Sequence, residues 1–596
     1  MAKEKLRSEI SDEYKWDLSK FIKDEKELDK KLEELDKAFK KLLTYKGKIM
    51  ESASTLYNLY EDQINFSNLE SDVYVYVSLL YDEETTNEAN DAKRLAVYKK
   101  IEDYSPELAF IDNEILESDY EKVKEYIKSD KRLEEFAFDL EKMFRHKKHI
   151  LSLKEEKLIS EASIAFGVGS EVHSKLDNSD IDLGEIEVDE ELVKLTNSNY
   201  TKYLKSKDRD VRKSAFNNMY NYWKGIKNTV SVAYKGQIKE DFFYSKVRKF
   251  SSPLEASLYS DKISVGLYDT LINTVHDNLD KMYKYVNIRK KMLGLKKLHF
   301  YDIYVDLTNE IKNDVPFVKG KEILFDALKP LGKEYLKDLN KAFDEHWIDI
   351  YPNKGKRSGA YKWGTYNSYP YVLLNYENTY DDVSTMAHEL GHAMHSYYSN
   401  KKQSYVYASY PIFLAEIAST VNEVILNDYF IRNAKTKEEK IYFINDFLDK
   451  IRGTLYRQTM FAEFERIMHE KYEKGIPLTL EEFNNTYYEL NKLYFGPDMF
   501  IDEDIKYEWM RIPHFYTPFY VYKYATGISA ACAIASNILN DEKQRDKYLE
   551  FLSSGCSNYP LEILKSVDVD MESGEPIEKT LKLFGKRLDE LEELIK

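Results

Sequence analysis

A stretch near the N-terminus, FIKDEKELDKKLEELDKAFKKLLTYKGKI, repeats apolar residues at steps of three and four between charged residues. This spacing places the apolar side chains along one face of an α-helix. Residues 90–165 carry a similar pattern. Glycine and proline are scarce, at 21 and 13 of 596 residues, so turns are few and the elements between them are long. The sequence therefore predicts a mostly α-helical protein.

The length of the chain, 596 residues, exceeds what one hydrophobic core usually supports. The acidic, turn-rich segment KLDNSDIDLGEIEVDEE, residues 175–191, interrupts the helical pattern, which resumes near residue 206. We therefore predict an N-terminal helical region over 1–200 and a second domain over 201–596. The short apolar run YVLLNY, residues 371–376, is typical of a strand and predicts a small sheet beside the helices.

The net charge of −17, with no lysine- or arginine-rich block, disfavours binding to nucleic acid or to an anionic membrane. The N-terminus shows no apolar signal-peptide region, and the hydrophobic stretches are too short or too charged to span a bilayer. Two cysteines, Cys532 and Cys556, lack metal-type spacing. These features predict a cytoplasmic protein; they do not indicate its oligomeric state.

The segment TMAHELGHAMHSY, residues 385–397, contains an H-E-x-x-H motif on a predicted helix that begins near residue 382. His388 and His392 are four residues apart, so both imidazoles lie on one helix face and can bind the same metal ion. Glu389 is rotated by about 100° from His388. It is therefore predicted to act as general base toward a metal-held water rather than as a ligand.

A third ligand is expected on a second helix, within PIFLAEIASTVNEVILNDYF, residues 411–430. Glu416 and Glu423 are two turns apart on one face, and spacing alone allows either to bind the metal. Apolar and small residues surround Glu416, and a carboxylate buried among them would need a cation. We therefore predict Glu416 as the ligand and Glu423 as the acceptor for a ligand histidine. His395 is assigned a supporting role, because a fourth protein ligand would close the position that catalysis needs.

AHELGHAMHSYY together with FLAEIASTVNE closely resembles the oligoendopeptidase F branch of the thimet oligopeptidase family of zinc metallopeptidases. The resemblance extends to YKWDLS at 14–19, GKRSGAY at 355–361 and RIPHFYTPFYVYKYATG at 511–527. It thus covers nearly the whole chain.

The resemblance implies a mostly helical, two-lobed protein with a deep substrate channel and a small sheet beside the active-site helix. It also implies one zinc ion per chain, held by His388, His392 and Glu416, with Glu389 as base. Members of the family cut short peptides at internal bonds and exclude folded proteins. The expected partners are therefore short peptides.

The family places a histidine and tyrosines of the 511–527 segment near the scissile carbonyl, which by position implies His514, Tyr520 and Tyr524. Hydroxyl and imidazole donors there would stabilise the negative charge that develops on the carbonyl oxygen. Substrate contacts are also predicted for Tyr516 and Tyr522. In GKRSGAY, Gly359, Ala360 and Tyr361 are expected to allow close approach of an extended peptide to an unpaired strand edge.

The predicted reaction is hydrolysis of internal peptide bonds in short oligopeptides, with zinc-activated water and Glu389 as general base. Peptidyl-dipeptidases and some carboxypeptidases share similar motif spacing, so they remain alternatives. A non-catalytic helical peptide-binding protein is a more remote one, because the full set of metal-type residues is present.

Overall fold

The computed structural model describes residues 5–308 and 313–596. The α-helices, in chain order, are α1 Glu25–Leu43, α2 Ala53–Asp82, α3 Glu88–Leu108, α4 Phe110–Glu117, α5 Tyr120–Ser129, α6 Ala137–His146, α7 Leu153–Ala162, α8 Val168–Asn178, α9 Asn197–Leu204, α10 Arg209–Gly225, α11 Lys227–Val247, α12 Pro253–Tyr259, α13 Val265–His276, α14 Leu279–Met292, α15 Phe317–Ala327, α16 Gly332–Asp344, α17 Tyr380–Lys402, α18 Tyr405–Ala408, α19 Ile412–Asn433, α20 Lys437–Ile451, α21 Arg457–Glu473, α22 Leu480–Phe495, α23 Tyr522–Asn540, α24 Lys543–Leu552, α25 Pro560–Ser566 and α26 Glu575–Ile595. The predicted mostly helical fold is confirmed.

The chain divides into two compact units. The first unit comprises Met1–Lys147, Asn313–Leu426 and Ile534–Asp568, and the second unit comprises Lys148–Lys312, Asn427–Ala533 and Val569–Lys596. Each unit contains residues from both sides of residue 200. The division of the sequence into two domains at that residue stays a prediction. No helix in the part of the chain that the structure describes has the length and apolar character needed to cross a membrane.

Helix α1 shows why the N-terminal pattern folds as it does. Asp24 caps its first turn by accepting a hydrogen bond from the backbone N–H of Glu27. The residues at three- and four-residue steps, including Leu28, Leu35 and Leu42, are buried in the core of the first unit. The charged residues between them remain on the outer face, which matches the predicted amphipathic helix.

The strands form two small sheets. Strands β1 (Glu185–Val188) and β2 (Glu191–Lys194) pair as an antiparallel hairpin that begins in the acidic segment and extends just beyond it. The sequence predicts this segment only as a break between helices. Strands β3 (Ile348–Asp349), β4 (Tyr361–Trp363) and β5 (Tyr371–Leu373) form the other sheet, in the order β3-β5-β4.

The predicted strand at 371–376 is present as the central strand β5, which ends at Leu373. Its three residues are buried, and it pairs in parallel with β3 and antiparallel with β4. Strand β4 is therefore an edge strand of this sheet, and it packs against α17. The small sheet beside the motif helix is thus confirmed.

Helix α17 carries the H-E-x-x-H motif and starts slightly earlier than predicted. Its N-cap is Thr379, whose hydroxyl accepts a hydrogen bond from the N–H of Asp382. The Asp382 carboxylate in turn accepts one from the N–H of Thr379, which completes a capping box. Asp382 thus stabilises the helix from inside its first turn.

Gly391 lies between the two motif histidines, where α17 passes close to α19. A methyl group at this position would lie 2.5 Å from the Cα of Ser419 and 2.8 Å from the carbonyl oxygen of Ala418. These are backbone atoms, so the helices would have to separate to accept it. Because Gly391 has no side chain, the motif helix can lie this close to the helix that carries Glu416.

Gly391→Ala is expected to lower both the melting temperature and the metal affinity, because overpacking of this kind costs about 1–3 kcal/mol and moves α19 away from α17. Thermal unfolding and metal titration measure the two effects. Gly236→Ala in α11 is the matched control, since nothing lies within 4 Å of its added methyl group. Equal behaviour of the two variants would contradict the proposed role of the contact.

Candidate metal centre and active site

Three side chains of the first unit form a metal-type cluster. Ligand atoms of His388, His392 and Glu416 all lie within 4.8 Å of one another. The Nε2 atoms of the two histidines are 3.2 Å apart, and Glu416 Oε2 lies 3.4 Å from His388 Nε2 and 3.7 Å from His392 Nε2. Ligand atoms about 2.0–2.1 Å from a tetrahedral metal ion are separated by about 3.3 Å. The triangle thus fits three corners of such a site.

Glu416 differs from its prediction in one respect. The sequence places it among buried apolar residues, whereas its side chain is 48% exposed. Its neighbours Phe413, Leu414 and Ile417 are buried on other faces of α19. The carboxylate therefore faces an open side of the cluster, and a metal ion held there would keep access to water and substrate.

The other imidazole nitrogen of His388 has its own carboxylate neighbour. His388 Nδ1 lies 3.3 Å from Glu423 Oε1, two turns after Glu416 on α19. A carboxylate at this position selects the tautomer that carries its proton on Nδ1 and leaves Nε2 free to bind metal. The geometry is the one expected for the predicted histidine acceptor.

The electrostatics of the cluster favour a cation. Burial lowers the pKa of His388, but hydrogen bonds with Glu416 and Glu423 outweigh burial and raise it to about 10. The two histidines hold the pKa of the Glu416 carboxyl well below its usual range. Without metal, the carboxylates therefore attract a proton onto the histidine, and a metal ion that binds must displace it.

Glu423→Gln is expected to lower metal affinity by about 10- to 100-fold, because an amide is a weaker acceptor for His388 Nδ1. Competition against a metal indicator dye measures this change. Glu322→Gln in the same unit serves as the control, since the interaction seen for this exposed glutamate is a surface ion pair with Lys319. An unchanged affinity in Glu423→Gln would contradict the role of this carboxylate.

Glu389 follows His388 directly and is 7% exposed. Burial raises the pKa of its carboxyl group, while the positive charges of His388 and His392 oppose that rise. Lys362 on β4 also lowers it. A carboxylate with a raised pKa beside a cationic cluster can accept a proton and later release it.

His395 lies one turn beyond His392, outside the three-residue cluster. It is 1% exposed, and its ring stacks on Tyr410 with centroids 3.7 Å apart and planes 3° from parallel. The Tyr410 hydroxyl lies 3.5 Å from the backbone carbonyl oxygen of His392. His395 thus joins α17 to Tyr410, in the segment before α19, through an aromatic stack. Its supporting role stays a prediction.

The GKRSGAY segment leads into the edge strand β4. Gly359 has a φ of +83°, a conformation that favours glycine, and its carbonyl accepts a hydrogen bond from the Asn375 side chain. Ala360 precedes the strand, and Tyr361 begins it, with its hydroxyl donating to Asp82 at 2.6 Å. Because β4 pairs with β5 on one side only, its other edge is not paired within this sheet.

A second polar cluster lies in the second unit. His514 Nε2 is 3.1 Å from the Tyr524 hydroxyl, and the rings of Tyr520 and Tyr524 have centroids 5.4 Å apart. The three predicted residues are thus brought together. Tyr520 precedes α23, and the turn that leads into the helix, closed by a hydrogen bond from the N–H of Lys523 to the carbonyl of Tyr520, brings it beside Tyr524.

Tyr516 and Tyr522 of the same segment occupy different surroundings. Tyr516 is half-buried and packs against His173 and Tyr234. Tyr522 has no exposed surface and packs on Tyr268. It therefore lies in the core of the second unit rather than on a surface that a peptide could reach, which corrects the expected substrate contact.

Two residues that the sequence analysis did not single out bear on these sites. Lys362 on β4 donates to Ser396 Oγ at 2.5 Å, one turn beyond His392. Glu465, fully buried, accepts a hydrogen bond from the backbone N–H of Phe519 at 2.7 Å. Phe519 has a φ of +52°, so this bond holds the strained residue just before Tyr520. Neither contact has a local sequence signal, since both join distant segments.

Comparison with known proteins places the chain in a family. Residues 202–583 match peptidase family M3, and residues 114–182 match the family model described as oligopeptidase F. The chain is 39% identical to oligopeptidase PepF of Bacillus subtilis (strain 168), over 99% of this chain and 88% of that protein.

Solved structures agree with this assignment. The fold superposes on a protein from Chlamydophila abortus with a TM-score of 0.90 and 35% identity, covering 99% of this chain and 100% of that one. It also superposes on oligoendopeptidase-F from Enterococcus faecium with a TM-score of 0.74 and 34% identity, covering 96% and 99%.

The chain therefore belongs to peptidase family M3. Together with the histidine–glutamate cluster, this makes it a metallo-endopeptidase, a hydrolase of peptide bonds. The resemblance seen in the sequence to the oligoendopeptidase F branch is confirmed.

Proposed function

We propose that the protein is a zinc-dependent oligoendopeptidase that holds one zinc ion per chain and cuts short peptides at internal bonds. The observation that carries the proposal is the triangle of His388, His392 and Glu416 beside the buried Glu389. Two imidazoles and one carboxylate, with an open fourth position, form the donor set typical of catalytic zinc.

Zinc bound to this cluster would polarise a water molecule and the substrate carbonyl. Glu389 takes the proton from the attacking water and passes it to the leaving amine, a role supported by its burial and its raised pKa. Glu423 keeps His388 in the tautomer that presents Nε2 to the metal.

His514, Tyr520 and Tyr524 are assigned to the carbonyl oxygen of the substrate. Their mutual contacts and the family resemblance support this role, since His514 Nε2 lies 3.1 Å from the Tyr524 hydroxyl and the ring of Tyr520 lies beside both residues. Burial, followed by the charge of Arg457, lowers the pKa of His514. The imidazole would thus be neutral near pH 7, with one N–H available to donate.

The edge of β4 is assigned to the peptide backbone. An extended peptide can add to an unpaired strand edge through main-chain hydrogen bonds, and Gly359 and Ala360 at its entry leave room for close approach. Backbone contacts of this kind do not select particular side chains. A peptidase that binds its substrate in this way would accept many short sequences.

Digestion of a ten-residue peptide, followed by mass spectrometry, tests the proposal. We expect cleavage at internal bonds, loss of activity with a chelator, and recovery when one equivalent of zinc is added. Cuts confined to one terminus would instead favour a peptidyl-dipeptidase or carboxypeptidase. A purified chain that neither binds zinc nor cleaves the peptide would favour a non-catalytic peptide-binding protein.

A further inference from the structure

A small cavity inside the second unit is lined by three arginines. Its volume is about 20 Å³, and the cations on its wall are Arg452, Arg457 and Arg511. One water-sized particle needs about 10–15 Å³. The remaining wall is aromatic and apolar apart from Glu508 and tyrosine hydroxyls. The cavity therefore has room for one small ligand among several positive charges.

The carboxylates nearby do not balance these charges. Glu508 accepts hydrogen bonds from Arg457 at 2.5 Å and from Tyr487 at 2.6 Å. Arg452 Nε lies 3.5 Å from Asp449 Oδ1, and Asp449 also lies 3.7 Å from the buried Arg289. Two carboxylates, Glu508 and Asp449, thus face four guanidinium groups, those of the three cavity arginines and of Arg289.

In the described part of the chain Arg511 is paired less closely than the other two arginines, because Glu508 acts on it only through its charge. Among residues 5–308 and 313–596 it forms no ion pair, and its guanidinium carbon lies 4.9 Å from the centre of the Tyr200 ring. A half-buried guanidinium retains five N–H donors that need acceptors. A cation–π contact satisfies none of them, so an acceptor beside Arg511 would remove a cost of burial.

The backbone between α20 and α21 has a conformation that brings Arg452 and Arg457 close together. Residues Arg452–Tyr456 form a π-helical turn, in which the N–H of Arg457 donates to the carbonyl of Arg452. In an α-helix, residues five apart would point about 140° away from each other. The wider turn brings both guanidinium groups to one cavity, and such turns occur frequently at functional sites.

Tyr304, one of the tyrosines that line the cavity, lies close to two of the arginines. The Arg452 guanidinium lies 4.9 Å from the centre of the Tyr304 ring. Burial raises the pKa of Tyr304, but the charges of Arg457 and Arg452 outweigh burial and lower it overall. Burial instead raises the pKa of Tyr200 and of Tyr220, which also line the cavity, so the arginine charges outweigh burial only beside Tyr304.

We propose that this cavity binds one small monovalent anion of chloride size, held by Arg452, Arg457 and Arg511. The volume suits a single ion better than a peptide carboxylate. The ion would join Arg511, at the start of the segment that carries His514, to Arg457 on α21. The site shares no residue with the metal cluster or with the group of His514, Tyr520 and Tyr524, although the charge of Arg457 also acts on His514.

Crystals of the full-length wild-type protein soaked in bromide provide the first test. We expect an anomalous peak within hydrogen-bond distance of all three guanidinium groups. A cavity that contains only water, or a protein carboxylate paired with Arg511, would overturn the proposal. This test needs no variant and no enzymatic activity.

Thermal unfolding in chloride, with ionic strength held constant by gluconate, provides the second test. A bound ion should give a saturable rise of about 2 °C in Tm. Arg511→Gln should abolish the rise, whereas Arg432→Gln, which removes a surface arginine paired with Asp428, should retain it. A rise that is equal in gluconate and chloride would mean charge screening alone and would contradict the site. If Arg511→Gln does not fold, the anomalous peak and the anion dependence of the wild-type protein decide.

Discussion

Glu389→Gln is expected to retain the metal and to lower kcat by about 10²- to 10⁴-fold, the range that general acid–base catalysis contributes. Glutamine has nearly the same shape as glutamate but cannot accept the proton of the attacking water. His388, His392 and Glu416 are untouched, so the metal-type cluster stays complete. Initial rates of peptide hydrolysis and metal content per chain are the two measurements.

The matched control for this variant is Glu389→Asp, which keeps the carboxylate but withdraws it by one methylene. We expect an activity between those of the wild type and Glu389→Gln, because proton transfer depends on hydrogen-bond reach. A Glu389→Gln protein with near-normal kcat would show that the proton acceptor is another group. Loss of metal in that variant would show instead that Glu389 helps to hold the ion.

Glu416→Ala is expected to lower metal affinity by more than about 100-fold, since the loss of a direct ligand should exceed the 10- to 100-fold effect of losing an outer partner. Activity at limiting metal should fall in parallel. Removal of the carboxylate leaves His388 and His392 as two neutral donors, which are too few for a stable site. Equilibrium dialysis against zinc measures the affinity, and added metal tests recovery of activity.

Glu322→Ala provides the control for the loss of one exposed carboxylate in the same unit. It should bind metal as the wild type does. In the metal-free protein Glu416 is hydrogen-bonded to His388 and His392, so its replacement should also lower the melting temperature near pH 7. Equilibrium dialysis on the folded protein separates the loss of the ligand from this loss of stability. Tight metal binding by Glu416→Ala would mean that another carboxylate completes the site and would overturn the assigned ligand set.

Much of the metal-type cluster follows from helical spacing alone. His388 and His392 share a face because they are four residues apart, and Glu389 is turned away from them for the same reason. Glu416 was selected for the wrong reason, since its carboxylate is half exposed rather than buried. The two-turn separation of Glu416 and Glu423 nevertheless predicts that both face α17, and the structure places both near His388.

The second cluster was predictable only in part. The resemblance of the 511–527 segment to a known family pointed to His514, Tyr520 and Tyr524, and these residues do meet. It did not separate them from Tyr522, whose ring is fully buried. With 50 tyrosines in the chain, side-chain chemistry alone does not distinguish a ring that packs from a ring that faces a cleft.

The sequence by itself determined the helical class, the motif helix, the metal-type residues and the family, because each depends on local periodicity or on short motifs. Only the tertiary structure decided which distant groups meet. The contact of Gly391 with Ser419, the stack of His395 on Tyr410 and the gathering of Arg457 and Arg511 at one cavity join segments far apart in the chain. Such contacts depend on how whole helices pack, and the spacing of residues within one helix does not determine that packing.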